Sequence, residues 1–233
     1  MPSALQRASS SVTRRAGRPA VKDAERTRVQ ILEAAAGEFA RSGLGGARVD
    51  RIAGQAGVNV RMLYYYFSSK DELFLAVLER AYAIIREAEK ALELDRGEPE
   101  DAVRRLVRFT WDFQLSHPEF ITLLNSENLH GGRHLKKSSV VAELHSPLLD
   151  MIGRLLERGA RAGVFRGGVD PVQFYITIAS LGYFYLSNRH TLSAIFRRDL
   201  LAPKQKTTRF AHMIEVVLGY LRPPTPSRGM NTP

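Results

Sequence analysis

The segment Arg48–Lys70 constrains the fold most, because it shows helical periodicity on both sides of a single glycine. In its first half the apolar residues fall on one helical face: Val49, Ile52, Ala53 and Ala56. Gly57 is suited to a left-handed helix stop, Val58 is expected to turn inward, and Asn59 can cap a following helix over about residues 60–67. The segment therefore predicts two short helices around a tight turn.

The second of these helices leaves unusual side chains in solvent. Leu63 and Phe67 are four residues apart and predict the packed face, which leaves Arg61, Tyr64 and Tyr65 facing outward. Guanidinium and hydroxyl groups donate hydrogen bonds to phosphate oxygens, and the first residues of such a helix reach base edges in a major groove. The pattern predicts a helix-turn-helix motif that binds DNA.

This segment resembles the DNA-binding domain of the tetracycline repressor (TetR) family of one-component regulators. The residues that carry the resemblance stand at the family's spacing: Ile52-Ala53, Ala56-Gly57-Val58, Leu63-Tyr64-Tyr65-Tyr66-Phe67 and Ser69-Lys70-Asp71-Glu72-Leu73. The close match covers about residues 26–75. The family usually has a threonine where Ala47-Arg48 stands, and Arg48 is expected to replace that phosphate contact.

The helix after the motif is predicted to begin at a capping box formed by Ser69 and Glu72 and to run to about Leu92. Its free first-turn amides, with Lys70 beside them, favour a DNA phosphate. The resemblance implies that this helix transmits movement to the motif. The predicted DNA-binding residues of the motif are Arg48, Asn59, Val60, Arg61, Tyr64, Tyr65 and Lys70.

Basic charge is concentrated near the motif. The 233 residues carry a net charge of +10, and residues 1–70 hold 12 Lys/Arg against 5 Asp/Glu. Basic charge alone fits nucleic acid, an anionic membrane or mere solubility, but its overlap with the motif favours nucleic acid. The first residues are expected to form a flexible basic arm, in which Arg15 and Arg18 flank Gly17 and suit a minor groove. A solubilising tail is the alternative.

Several classes of function are not expected. The absence of cysteine excludes disulfides and thiolate metal sites and is compatible with the reducing cytoplasm, where we place the protein. No enzyme signature is present, so we predict no catalytic residue and no cofactor. His130 and His134 are four apart, but the glycines between them interrupt a helix, so no metal site is predicted. No apolar run has membrane length.

The chain is predicted to be all-α, because helical periodicity recurs without sheet-like alternation. We expect four parts: a flexible basic arm at 1–23, a three-helix helix-turn-helix domain at 24–71, a larger helical effector-binding and dimerisation domain at 72–222, and a disordered tail at 223–233. Asp23 is the expected cap of the first helix, and Gly43 its stop. The other predicted helices span about 99–116, 118–128, 135–162, 171–188 and 204–221.

The segment 171–188 contains no charged residue and is apolar on every side. Such a helix is buried all round, which predicts the core on one side and a partner subunit on the other. With the last helix it would form a four-helix dimer interface, as the resemblance also implies. The predicted interface residues are Phe174, Ile178, Leu181, Tyr185, Phe210, Met213, Ile214 and Val217.

An effector pocket is expected inside the larger helical domain. Trp111 is the most suggestive residue, since its flat face can line a cavity and its N–H needs a partner. The candidate lining residues are Trp111, Phe113, Phe120, Asn125, Asn128, Tyr175 and Tyr183, and ordinary core packing is the alternative for each. The pattern does not indicate the chemistry of the effector.

These observations predict a homodimeric transcription regulator of TetR type, acting as a ligand-responsive repressor on a near-palindromic double-stranded DNA operator. Two other hypotheses remain open at this point. One is a structural protein that binds DNA without sequence preference, and the other is a membrane-associated interaction protein.

Overall fold

The computed structural model describes residues 19–223, with side chains at 23–141 and 147–223. Over that range the regular structure is helical, which confirms the predicted all-α class. A 3₁₀ turn, Leu135–Lys137, precedes the seventh of ten helices. The helices are α1 (Pro19–Gly46), α2 (Val49–Gln55), α3 (Val60–Tyr66), α4 (Lys70–Lys90), α5 (Pro99–Ser116), α6 (Pro118–Leu129), α7 (Ser139–Arg161), α8 (Pro171–Ser187), α9 (Arg189–Phe196) and α10 (Pro203–Leu221).

Helices α1 to α3 and the first half of α4 form a unit that we call the head, and they enclose one apolar core. Its fully buried side chains are Ile31, Ala35, Phe39, Ile52, Leu63, Leu73, Phe74 and Leu78. Since the first turns of α4 supply part of this core, the boundary predicted between residues 71 and 72 falls inside a continuous packing unit. The four-part division of the chain stays a prediction.

The first helix starts earlier than expected. It begins at Pro19 rather than Ala24, so Asp23 lies within the helix and is exposed. The Asp23 carbonyl accepts a hydrogen bond from the Thr27 hydroxyl at 2.8 Å, as in a helix interior. The predicted cap at Asp23 is therefore wrong. The predicted stop is confirmed, because Gly43 has φ +64° and interrupts the helix.

Helices α5 to α10 form a second unit, which we call the body. In its apolar core α5 packs against α7, α8 and α10. The α5 bounds agree with the predicted ones. Helix α7 begins later than predicted, because the Ser138 hydroxyl caps it by accepting a hydrogen bond from Val141 N at 3.2 Å. Helix α9 was not predicted. Its apolar residues Leu192, Ile195 and Phe196 share one face, but the helix has only eight residues and none of them is buried.

Head and body meet along α6. Helix α6 packs against α1, and Leu123 is buried in the core of the head. The Ser126 hydroxyl accepts a hydrogen bond from Leu44 N at 3.2 Å, next to the break at Gly43. The end of α6 thus holds the chain just before α2 begins. A displacement of α6 would therefore be transmitted to the head.

Four of the eight residues predicted for the dimer interface face the core of their own chain. Phe174, Ile178, Met213 and Val217 are at most 1 % exposed in the single chain, and all belong to the core of the body. A side chain already enclosed by its own chain cannot contact a partner, so these four predictions are wrong. The other four, Leu181, Tyr185, Phe210 and Ile214, are partly buried and pack against the same core.

Candidate functional site

The turn between α2 and α3 has the conformation that the sequence predicts. Gly57 has φ +67°, and Val58 N donates to the carbonyl of Ala53 at 3.0 Å, which closes the end of α2. The Asn59 side chain caps α3 by accepting a hydrogen bond from Met62 N at 2.8 Å. This geometry holds two short helices in a defined angle and forms a helix-turn-helix.

Helix α3 is anchored to the head by Leu63, beside which Tyr66 is partly buried, and its other side chains face solvent. Leu63 is fully buried, whereas Arg61, Tyr64 and Tyr65 are exposed, and Tyr65 is 84 % exposed. Val60, at the first position of the helix, is also exposed. The outward face predicted for these side chains is confirmed, and it offers guanidinium and phenol groups on one short, convex element.

Arg48 is exposed at the start of α2 but is already engaged. Its guanidinium makes two hydrogen bonds to the Asp50 carboxylate, at 3.1 and 2.8 Å. The hydrogen bond raises the pKa of Arg48 and lowers that of Asp50, in each case as the largest contribution. A phosphate at this position has to compete with Asp50 for the same donors.

A buried carboxylate that the sequence reasoning missed supports this side of the head. Glu38 is fully buried and accepts hydrogen bonds from Arg41 at 2.7 Å and from Arg48 N at 3.2 Å. The Arg41 hydrogen bond is the main reason that the pKa of Glu38 is lowered. The signal was present, since Glu38 continues the i, i+4, i+7 spacing of Ile31 and Ala35 on the apolar face of α1.

The start of α4 lies beside the motif. Ser69 caps this helix by accepting a hydrogen bond from Glu72 N at 3.1 Å, while the Glu72 carboxylate contacts the Ser68 hydroxyl instead of closing the box. Lys70 is partly exposed, and its Nζ donates to the carbonyl of Gly45 at 3.5 Å. The predicted arm residues Arg15 and Arg18 lie outside the described residues.

The body contains a cavity of about 360 Å³ between α4, α5, α6 and α8. Of the seven predicted lining residues, Phe120, Asn128, Tyr175 and Tyr183 line it. Asn125 lies behind the wall, where it accepts a hydrogen bond from the Tyr183 hydroxyl and donates to Ser187. The complete lining is Tyr82, Ile85, Glu89, Thr110, Gln114, Phe120, Leu124, Glu127, Asn128, Gly132, Leu135, Tyr175, Ile176, Ala179, Ser180 and Tyr183.

Two of the predicted lining residues lie elsewhere. Trp111 is buried in the core of the body, where its ring meets Tyr185 edge-on at 5.8 Å. Phe113 stacks on His117 at 4.1 Å and lines a separate apolar groove between head and body. Neither faces the 360 Å³ cavity, because Thr110 and Gln114 are the α5 residues that turn toward it.

A buried ion pair lies at one end of the cavity. Glu89 lines the cavity and accepts a hydrogen bond from Arg86, and both side chains are 4 % exposed. Arg86 also donates to the Tyr175 hydroxyl at 3.0 Å, whereas its Nε has no partner. Burial raises the pKa of Glu89 although Arg86 opposes the change. The pair was missed, but Glu89 follows Ile85 at i+4 on the apolar face of α4.

A second buried carboxylate lies at the end of the cavity nearer the head. Glu127 accepts hydrogen bonds from His134 N at 2.8 Å, from Leu135 N at 3.0 Å and from His134 Nδ1 at 2.5 Å. Burial alone would raise the pKa of Glu127, but these hydrogen bonds keep it below its ordinary value. One carboxylate thus ties the cavity wall to the loop that follows α6.

That loop reaches the start of α4. The His134 ring lies edge-on to Phe74, with 5.1 Å between centroids, and its Nε2 is 3.8 Å from the Asp71 carboxylate. Arg133 binds the same carboxylate at 3.3 Å. A continuous chain of contacts therefore joins the cavity to the first turn of α4, which carries Lys70.

Other kinds of site are not found in the part of the chain that the structure describes. That part contains no group of three or more His, Asp or Glu side chains placed to hold a metal ion. His130 donates instead to the carbonyl of Ser126 at 2.7 Å. Over residues 19–223 no helix has the length and apolarity that crossing a bilayer requires.

Two family models match the chain. Residues 31–77 match the model described as bacterial regulatory proteins of the tetR family, and residues 99–217 match the tetracyclin repressor-like C-terminal domain. The first match contains the helix-turn-helix, and the second contains most of the cavity wall.

Curated relatives agree with these matches. The chain is 42 % identical over 201 residues to the HTH-type transcriptional repressor NicS of Pseudomonas putida, which covers 86 % of this chain and 95 % of that protein. It is 38 % identical over 113 residues to the HTH-type transcriptional repressor SCO4008 of Streptomyces coelicolor, covering 48 % of this chain and 55 % of the relative.

Solved structures show the same fold. The transcriptional regulator SCO4942 of Streptomyces coelicolor superposes with a TM-score of 0.62 at 26 % identity, covering 84 % of this chain and 98 % of that one. FadR of Bacillus subtilis, solved with stearoyl-CoA, has a TM-score of 0.62 at 14 % identity over 84 % of this chain and 100 % of its own. Together with the exposed recognition helix and the cavity in the body, these matches establish that the chain belongs to the TetR family and is a ligand-responsive, DNA-binding transcriptional repressor, not an enzyme.

Proposed function

We propose that the protein is a cytoplasmic homodimer that represses transcription by placing its two α3 helices in successive major grooves of a near-palindromic operator, about 34 to 36 Å apart. The observation that carries this proposal is the exposure of Arg61, Tyr64 and Tyr65 on a helix that Leu63 anchors to the head. The relative NicS is a transcriptional repressor, which supports the same mode of action.

A footprint on genomic DNA tests the operator. We expect one protected near-palindrome, and Arg61→Ala should relax the preference at one base position, because base contacts carry the sequence information. The competing hypothesis, a structural protein without sequence preference, requires equal affinity for random DNA. Uniform binding to all fragments would therefore favour that hypothesis and contradict the operator.

Lys70→Ala is expected to weaken binding to all DNA sequences by similar factors. Lys70 sits in the first turn of α4 beside its free amides, where a phosphate is stabilised by charge and by dipole. Losing one phosphate contact should flatten the slope of log affinity against log salt concentration by about 1. Fluorescence anisotropy with operator and random duplexes at several salt concentrations measures both quantities.

Lys90→Ala is the matched control, because Lys90 stands in the last turn of the same helix and pairs with Glu87 on the surface. It removes the same charge at the end remote from the motif. If Lys70→Ala changed neither the affinity nor the salt slope, the phosphate contact would be refuted. Tyr65→Phe, which removes only a hydroxyl, should give a smaller uniform loss.

The proposed dimer interface is the solvent-facing side of α8 and α10. Phe184 is 59 % exposed, and Val172 is exposed on the same helix. Ala211 and Gly219 are exposed on α10, where small side chains allow another helix to approach. These residues take the place of the four core residues that the sequence pattern selected.

Phe184→Asp is expected to convert the dimer to a monomer, since it would bury an unpaired carboxylate in the interface. Analytical ultracentrifugation at micromolar concentrations gives the mass directly. Ile84→Asp is a suitable control, because Ile84 is 47 % exposed on α4, away from α8 and α10. A dimer that persists in Phe184→Asp and dissociates in Ile84→Asp would place the interface elsewhere.

We assign the effector to the 360 Å³ cavity. Its wall contains Glu127, which binds His134, and His134 contacts Asp71 in the first turn of α4. On the same helix Ser126 holds Leu44 before α2. A ligand that binds more tightly when these contacts take another arrangement would favour a head orientation that does not fit the operator, and only that difference in affinity releases DNA.

A further inference from the structure

Three of the hydroxyl groups in the cavity wall already donate their hydrogens within the protein. Thr110 donates to the carbonyl of Leu106 at 2.9 Å, and Ser180 donates to the carbonyl of Thr177 at 3.0 Å. Tyr183 donates to the side-chain oxygen of Asn125. Each hydroxyl has one hydrogen and two lone pairs, so these groups can offer a ligand only acceptor lone pairs.

The amide of Gln114 points to the same conclusion. Its Nε2 donates to the carbonyl of Ala179 at 3.2 Å, while its Oε1 has no hydrogen-bond partner although the residue is only 7 % exposed. The amide lies close against α8 at Gly182, where a Cβ atom would be 2.1 Å from Oε1. This oxygen is enclosed between α5 and α8. Because a buried carbonyl oxygen without a donor is unfavourable, a ligand N–H or O–H that parts the two helices at this point would relieve it.

The charged residues of the wall are also acceptors. The cavity is lined by the carboxylates of Glu89 and Glu127, and its described lining contains no Lys, Arg or His side chain. Asn128 contributes an amide with donors as well as an acceptor. Acceptors therefore dominate the wall. Glu89 is already paired with Arg86 and Glu127 already accepts three hydrogen bonds, so the case against a ligand carboxylate or phosphate is that no cation in the described lining of the cavity can receive it.

The remaining wall is mainly apolar and includes four aromatic rings. Tyr82, Phe120, Tyr175 and Tyr183 line the cavity, and aromatic faces attract flat rings and cations. A volume of about 360 Å³ is at the small end of the range for ligand pockets. Both features suit a compact ligand with one ring.

We propose that the effector is a small, flat, nitrogen-bearing compound that is neutral or cationic and rich in hydrogen-bond donors, and that it is recognised by Gln114 Oε1 and the Glu89 carboxylate. This proposal rests on the assignment of the cavity as the effector site. It excludes carboxylic acids of the same size, because an anion has neither the donors nor the charge that this wall requires.

Three probes of equal size test the chemistry: benzamidine, benzamide and benzoate. They share one ring and differ in the group that it carries, which is a cationic donor, a neutral amide and an anionic acceptor. We expect the full-length protein to bind benzamidine at millimolar concentrations and benzoate at least about tenfold more weakly, with benzamide between them, by isothermal titration calorimetry. Tighter or equal binding of benzoate, or no binding of any probe, would overturn the proposal.

Variants map the binding to the proposed atoms. Gln114→Met keeps the side-chain length and removes the acceptor, and Glu89→Gln removes the charge; each should weaken benzamidine binding by about tenfold. Glu87→Gln is the control, since Glu87 is exposed on the same helix. Glu89→Gln leaves Arg86 without its anion and therefore reduces stability. If Glu89→Gln does not fold, the result for Gln114→Met alone tests the proposed contact. Unchanged binding in Gln114→Met would contradict the assignment.

Operator release separates this proposal from the one on which it rests. If benzamidine binds through Gln114 but leaves operator affinity unchanged, the chemistry of the cavity is supported and its effector role fails. If benzoate binds more tightly and releases the operator, the effector role is supported and the donor-rich ligand is wrong.

Discussion

Arg86→Met is expected to destabilise the body by about 3–5 kcal/mol, because it leaves the Glu89 carboxylate buried without its cation. Both side chains are 4 % exposed, so water does not compensate for the loss. The Tyr175 hydroxyl also loses the donor that lies 3.0 Å away. Urea unfolding followed by circular dichroism measures the change in the free energy of unfolding.

The double variant Arg86→Met/Glu89→Leu is the control for this prediction. It removes both charges and keeps the volume, so its stability should return close to that of the original protein. In Arg86→Met the pKa of Glu89, which burial already raises, should rise further. A carboxyl group with a raised pKa stabilises the fold below its ordinary pKa and loses that contribution as pH increases, so the deficit should grow from acid toward neutral pH. A double variant as unstable as Arg86→Met would contradict the ion-pair argument.

Glu127→Leu is expected to cost about 3 kcal/mol and to weaken the link between effector and DNA. The substitution leaves the amides of His134 and Leu135 without acceptors in a buried position, and each unsatisfied group costs about 1–3 kcal/mol. His134 would also lose its side-chain partner next to Asp71. We expect operator affinity to remain and the response to effector to fall, as measured by anisotropy with and without ligand.

Glu127→Gln separates charge from shape, because it keeps an oxygen acceptor and removes the ionised form. The pKa of Glu127 is lowered by its hydrogen bonds, so its charge stabilises the fold above the ordinary glutamate value of 4.5 and that contribution is lost as pH falls below it. The stability difference between the original protein and Glu127→Gln should therefore be present near neutral pH and vanish in acid. A difference that is independent of pH would show that the charge of Glu127 has no role.

The features that local chemistry decides were predictable. Gly57 takes a positive φ, Asn59 caps α3, and Leu63 is buried, because these properties depend on residues within one turn of the chain. The errors at helix starts have an equally local cause. Several residues near a helix start can act as its cap, so the sequence predicts a start after Asp23, whereas the helix begins four residues earlier, at Pro19.

The body was harder to predict, because its helices are apolar on more than one side. On α8 the pattern could not distinguish the core face with Phe174 from the solvent face with Phe184, and the core face was selected for the dimer. On α5 the aromatic rings of Trp111 and Phe113 were favoured for the cavity. The structure turns the polar residues Thr110 and Gln114 toward it instead.

The sequence by itself determined the class of fold, the helix-turn-helix from Arg48 to Lys70, its outward side chains and the family, since these follow from spacing, caps and turns along the chain. Only the tertiary structure decided which face of each body helix is inside, because that depends on the angles at which helices pack. It also brought Glu89 of α4 and Gln114 of α5 into one cavity wall, and it linked Glu127 through His134 to Asp71. Contacts between residues distant in the chain set the chemistry of the cavity, and no periodicity records them.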